Sequence, residues 1–205
     1  YCFLEYKQID WDAIHAKYSK LITNTMSSEG LFEVLGNMLN ELQDGHVNLA
    51  SAHNVSYYDA WYQDYPRNFR EDIVEDTYLG KASTDYRTAA GVKYKIFEDN
   101  IGWQKKVVVL TNRRSYSATN DFVNQMNCLP NVTIIGDKTG GGSGMPFTSE
   151  LPNGWTVRFS ASPHFSVDME QIEWGIDPDI KIDMDETDEA KHIDTIIEKA
   201  RAFLK

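Results

Sequence analysis

Cysteine is nearly absent from this chain of 205 residues. Cys2 and Cys128 are its only two, far apart, with no Cys-x-x-Cys and no spacing that would hold a metal. A disulfide between them stays open, and two reduced thiols are the simpler expectation. Basic charge is also short. Lys and Arg number 20 against 31 Asp and Glu, a formal net charge of −11. No basic stripe is left to meet phosphates, which argues against a nucleic-acid partner. No apolar run approaches the length of a membrane span. The five histidines lack His-x-x-x-His spacing, so no metal and no cofactor is expected. There is no internal repeat. What is present is a chain 41% hydrophobic and rich in Trp, Tyr and Phe, enough for one large or two small globular domains. It begins at Tyr1 in mid-pattern with no leader-like segment, and so reads as a processed or truncated product.

The first part is helical in pattern. Asp10 is placed to cap a helix with Trp11, Ile14, Tyr18, Leu21 and Ile22 on its apolar face. Ser27-Ser28 opens a second helix with Leu31, Leu35, Met38, Leu39 and Leu42 on one face. Asp44-Gly45 breaks it, and His46 stands just before the alternating run Val47-Asn48-Leu49-Ala50. Residues 53–90 are aromatic and polar without a period, and Trp61, Tyr62, Tyr65 and Phe69 are expected to cover the helical part. The second half alternates strand and helix. Val132–Gly136 reads as a buried strand, followed by the glycine loop Thr139–Gly144 and a hairpin turning at Asn153-Gly154. Its return arm, Trp155–Phe159, alternates in pattern. Gly175–Ile180 is an extended exit, the acidic run Asp183–Glu189 a solvated surface, and a helix with Ile193, Ile196, Ile197, Ala200 and Phe203-Leu204 closes the chain.

Thr111–Phe122 is the most informative stretch. The run Val107–Leu110 ahead of it suits a strand buried on both faces, and Ala118, Phe122 and Met126 recur at helical spacing behind it. A serine at that corner, Ser117 or Ser115, is either a helix N-cap or a nucleophile exposed in the field of a helix N-terminus. The glycine loop lacks the Lys-Ser/Thr of a phosphate-binding loop, so its expected chemistry is close approach of backbone to a ligand.

Five pieces in order resemble the serine peptidases related to the tricorn protease and the C-terminal processing peptidases: Leu42–His46, Ser115–Thr119, Gly136–Gly142, Leu151–Gly154 and Gly175–Ile180. The resemblance covers most of the chain. It implies an α/β (α+β) fold, with an N-terminal helical subdomain over 1–65 that ends near the catalytic histidine. A connecting segment at 66–92 and a crotonase/ClpP-like mixed sheet-and-helix catalytic core at 93–205 follow. It also implies a serine endopeptidase acting on peptides or unfolded proteins through an acyl-enzyme.

By the same resemblance Ser117 matches the nucleophile and the Ala118 N–H one oxyanion donor. Gly140, Gly141 and Gly142 match the substrate loop. The lysine base of the processing branch would fall at Gly142, so the chain resembles the histidine-using branch with His46 as base. Glu173 matches the group that assists His46, with Glu170 in reserve. There is no room for the PDZ domain of many processing peptidases. A family segment before the nucleophile strand is missing near Gly102–Gln104, after Lys93–Gly102 resembles its start. A bacterial periplasmic or cell-envelope location is implied too. The competing function on this fold is a non-catalytic binding protein for an apolar ligand, such as a retinoid or fatty acid, or for a protein partner. Cleavage specificity and oligomeric state are not implied.

Overall fold

Polar side chains that accept backbone N–H groups set where the first helices begin. Asp10 Oδ1 accepts the Ala13 N–H at 2.9 Å and opens α1 (Trp11–Ser19). Ser27 Oγ accepts the Gly30 N–H at 3.1 Å and opens α2 (Ser28–Asn40). Each such cap is worth about 1 kcal/mol. In the computed structural model, which describes residues 1–58, 60, 73 and 105–205, both starts agree with the sequence. Trp61, Tyr62, Tyr65, Phe69, Lys93–Gly102 and the break expected near Gly102–Gln104 lie outside the described residues.

The ends of these helices differ from expectation. The amides of Leu21 and Ile22 turn back to the carbonyls of Tyr18 and Ser19, which tightens the chain out of the α-helix. Leu21 and Ile22 therefore leave the apolar face and stand exposed. In α2 the buried positions are Phe32, Gly36 and Leu39; Leu35 and Leu39 of the expected stripe, with Leu42 just beyond the helix, belong to the core, and Phe32 joins them there.

The fold is mixed α/β, and its chain divides into two compact units. The first takes Tyr1–Asp64, Arg114–Asn124 and Gly140–Ile176; the second takes Tyr65–Arg113, Gln125–Thr139 and Asp177–Lys205. Within the first, β1 (Asn48–Ala50) pairs antiparallel with β5 (Thr156–Pro163), which pairs antiparallel with β4 (Gly144–Glu150). The β4–β5 turn is the expected Asn153-Gly154, with Gly154 at φ +80°. Residues Trp155–Phe159 are all half-buried, and the alternate side chains Trp155, Val157 and Phe159 are the ones packed against the core. The core joins Phe32, Leu39 and Leu42 to Val47 and Leu49, and Trp155 meets Phe32 edge-on at 5.4 Å.

In the second unit β2 (Val107–Thr111), β3 (Val132–Gly136) and β6 (Ile180–Lys181) form a parallel sheet with β3 central. Ile134 and Ile135 are buried as expected, but β2 is only half-covered and Leu110 is 42% exposed. The extended exit ends at this sheet, where Asp179 Oδ2 accepts the Ile134 N–H at 2.7 Å. The acidic run forms the short helix α4 (Glu186–Glu189), capped by Asp185. The closing helix α5 (Thr195–Phe203) buries Ile196 and Ala200 against Ile135. The helix of the serine corner, α3, spans Ala118–Asn127 and buries Asn120 and Val123. The expected stripe fails there, since Phe122 is 50% exposed. No helix among the described residues is long and apolar enough to cross a membrane.

Candidate active site

Ser117 sits at φ +59°, in the left-handed region where a serine is strained. Its neighbours hold it there. The Ser117 N–H donates to the Gly141 carbonyl at 2.8 Å, and Tyr116 makes a single parallel bridge to Gly141. The Thr119 and Asp121 amides then donate back to the carbonyls of Tyr116 and Ser117, so α3 begins as the corner closes. A strained turn of this kind lifts a side chain clear of its own backbone. The hydroxyl caps nothing: Ser117 Oγ lies 2.8 Å from His46 Nε2. The Ala118 N–H, next in the chain and at the helix N-terminus, has no protein partner among the described residues.

His46 is brought there by a local device. Asp44 is 1% exposed, and its Oδ1 accepts the His46 N–H at 2.8 Å, a side chain closing a turn on its own backbone. Its Oδ2 accepts the Ser160 hydroxyl at 2.7 Å, tying that turn to β5. The imidazole is 6% exposed and lies against the Tyr116 ring, 5.1 Å between centroids. Burial pushes it below its ordinary value near 6.5. Asp44 and Asp121 pull it up, while Arg158 and Lys7 push it further down. The result is an imidazole held neutral at neutral pH, with Nε2 facing a hydroxyl. All of these groups belong to the first unit.

The sequence profile of peptidase family S41 matches residues 36–182, which include both members of this pair. The chain belongs to peptidase family S41. It is a serine-type peptidase. The profile of the tricorn protease C1 domain matches residues 1–40. The crystal structure of a candidate peptidase from Parabacteroides merdae is similar over 100% of this chain and 91% of its own, with 36% identity and a TM-score of 0.85. Partial likenesses extend to the structure of a candidate S41 protease from Bacteroides fragilis (17% identity, 47% of this chain and 26% of that one, TM-score 0.38). The tricorn protease is matched in the same partial way (24% identity, 48% of this chain and 10% of that one, TM-score 0.42). No curated protein sequence matches the chain.

In this S41 peptidase Glu173 is 4% exposed, whereas Glu170 is exposed on the surface. Glu173 makes no hydrogen bond to His46. Its Oε1 accepts from Lys7 Nζ at 2.8 Å, while its Oε2 and His46 Nδ1 are both buried without a hydrogen-bond partner. Burial pushes the Glu173 carboxyl up to about 7, with the Lys7 ammonium pulling the other way. The glycine loop approaches protein. A Cβ on Gly141, at φ +79°, would lie 1.8 Å from the Glu173 carbonyl oxygen, and one on Gly142, at φ +71°, 2.0 Å from the Tyr116 ring. Gly140 is half-buried, its N–H donating to the Ser115 carbonyl at 3.1 Å.

Three groups escaped the sequence reading. Asn120, fully buried on α3, donates to Ser143 Oγ at 2.6 Å and to the Ile172 carbonyl at 3.0 Å, tying the corner to the glycine loop and to the segment that carries Glu173. Asp44 was legible as an Asx turn in Asp44-Gly45-His46. Lys7 has no local signal, because its partner lies 166 residues away.

Proposed function

We propose that this peptidase cleaves peptides or unfolded proteins as an endopeptidase through an acyl-enzyme, with Ser117 as nucleophile and His46 as general base. The 2.8 Å contact between Ser117 Oγ and the buried His46 Nε2 carries the reading. As Oγ attacks the scissile carbonyl, Nε2 takes its proton and then gives it to the leaving amine. A water attacks the acyl-enzyme by the reverse path. The Ala118 N–H, aided by the helix field, faces the developing oxyanion.

By the family resemblance Glu173 is the group that assists His46. What supports this is that its Oε2 and the His46 Nδ1 are both buried with a hydrogen-bonding position to spare. Gly140 is the loop glycine within reach of a peptide, while Gly141 and Gly142 serve by letting Glu173 and Tyr116 close in. A periplasmic or cell-envelope location goes with the family resemblance and is checked by cell fractionation.

A fluorophosphonate probe is expected to label Ser117. Ser117→Ala is expected to abolish both labelling and peptide cleavage while leaving the melting temperature nearly unchanged. Cleavage that persists in Ser117→Ala sinks this reading. The competing one, a carrier of an apolar ligand, has in its favour an apolar recess between Tyr1, Leu4, Trp11, Leu42 and Phe159. Co-purified lipid together with an unlabelled Ser117 would favour it.

A further inference from the structure

The first residues of the chain hold a buried cation that the chemistry above does not use. Lys7 leaves a turn closed by Lys7 and Gln8 amides on the Phe3 and Glu5 carbonyls, and its side chain is only 2% exposed. Its ammonium donates to the carbonyls of Leu42 (3.3 Å) and Gln43 (2.8 Å) and to Glu173 Oε1 (2.8 Å). Those three bonds exhaust the donors of a lysine. Aromatic rings close around it, with Trp174 at 4.6 Å, Phe3 at 5.4 Å and Tyr1 at 5.8 Å from Nζ to ring centroid.

Each tether leads to the site. Leu42 and Gln43 lie between α2 and Asp44, the residue that fixes the backbone of His46. Gln43 is itself held at φ +49°, a conformation a glutamine adopts only when something holds it. On the far side, the Glu173 carbonyl accepts the Gly142 N–H at 2.9 Å and abuts Gly141, whose own carbonyl receives the Ser117 N–H. A buried ion pair is a poor source of stability, because desolvating both charges offsets their attraction, and a well-packed apolar pair of similar volume serves as well. The geometry is better explained by alignment: one point charge fixes the turn before the base and the segment behind the nucleophile.

We propose that Lys7 is a positioning residue of the active site, clamping the His46 turn to the Glu173 segment so that Nε2 and Oγ stay in line. This rests on the reading of Ser117 and His46 as the catalytic pair. The Lys7 charge also acts on the imidazole. The charged groups facing His46 are Asp44 and Asp121, which favour its protonation, and Arg158 and Lys7, which oppose it; the Tyr116 ring covers it. Removing Lys7 should therefore misalign the pair and move the acid limb of its reactivity to higher pH.

The test compares the whole chain as wild type, Lys7→Met, Glu173→Gln and Lys7→Met/Glu173→Gln, by fluorophosphonate labelling from pH 5 to 8. Because Glu173 is itself placed in the site, the double variant, which strands no carboxylate, is read against Glu173→Gln and not against the wild type. The expected result of removing Lys7 in either background is a fall in kinact of about tenfold or more with KI little changed. In each comparison the acid limb moves upward, and the melting temperature of the double variant exceeds that of Lys7→Met while its kinact does not recover. A Lys7→Met/Glu173→Gln variant that folds and labels at the Glu173→Gln rate with the Glu173→Gln acid limb overturns the proposal. Failure of both Lys7 variants to fold assigns Lys7 to stability alone and overturns it too. A wild-type chain that labels elsewhere than Ser117 defeats the catalytic reading first, and that outcome is read from the wild type alone.

Discussion

Replacing Gly142 with alanine adds one methyl group at a place where the contact and backbone effects can be separated. The new Cβ would lie 2.0, 2.3 and 2.5 Å from Cζ, Cε2 and the hydroxyl oxygen of Tyr116, at φ +71°. Gly154 supplies the control: its φ is +80° and nothing lies within 4 Å of a Cβ there. Gly154→Ala should therefore cost only the left-handed backbone, about 1 kcal/mol. For a chain of this size that lowers Tm by about 2–4 °C. Gly142→Ala carries the same backbone cost plus displacement of a packed ring, about 1–3 kcal/mol more. The total predicts a Tm drop on the order of 10 °C. Because that ring lies 5.1 Å from the His46 ring, its displacement also reaches the base. Labelling of Ser117 should slow by about 10–100-fold, a loss that Gly154→Ala does not share. Thermal melts and probe kinetics on the two variants side by side check this. Equal melting temperatures, or equal labelling rates, would refute the reasoning.

Ser117→Gly relieves the φ +59° strain, so it should gain about 1 kcal/mol of stability while losing all probe labelling, measured by chemical denaturation and mass spectrometry. His46 is depressed by burial, so the acid limb of kcat/KM should fall below pH 6.5. The unfolded chain binds that proton more tightly, and the His46 contribution to stability should fade as pH drops below 6.5. Glu173 has the opposite sign. A carboxyl raised to about 7 favours the folded state below its unfolded value of 4.5 and loses that contribution as pH rises through 7. At most about 3 kcal/mol is involved. Denaturation at pH 5 and pH 8 should show this slope in the wild type and its loss in Glu173→Gln. Asp44→Asn cannot accept both the His46 N–H and the Ser160 hydroxyl, and should cost about 1–3 kcal/mol and slow labelling.

What could be read ahead of the structure was local. Asp10 and Ser27 cap the helices they precede, Asn153-Gly154 turns the hairpin, and the strand-to-helix corner at Ser117 stands where the pattern puts it. The place of His46, between a helix break and a short strand, was legible for the same reason, whereas its expected role as base came from the family resemblance. Burial was less legible, because it depends on what arrives from elsewhere. Phe122 carries the apolar pattern of α3 yet faces outward, while the polar Asn120 is buried because two acceptors from other segments meet it. Lys7 and Glu173 show the limit most clearly. No window of sequence contains both, so nothing local announces their pairing, although the family resemblance singles out Glu173.

The bond from Asp44 to Ser160 has a bearing on heat. Through it the base hangs from the hairpin's inner strand as well as from the helix before it. Fraying of that strand would set the imidazole adrift while the helices still hold. Loss of turnover on warming should then run ahead of the loss of helical signal, and the gap between the two curves would measure how independently the hairpin can open.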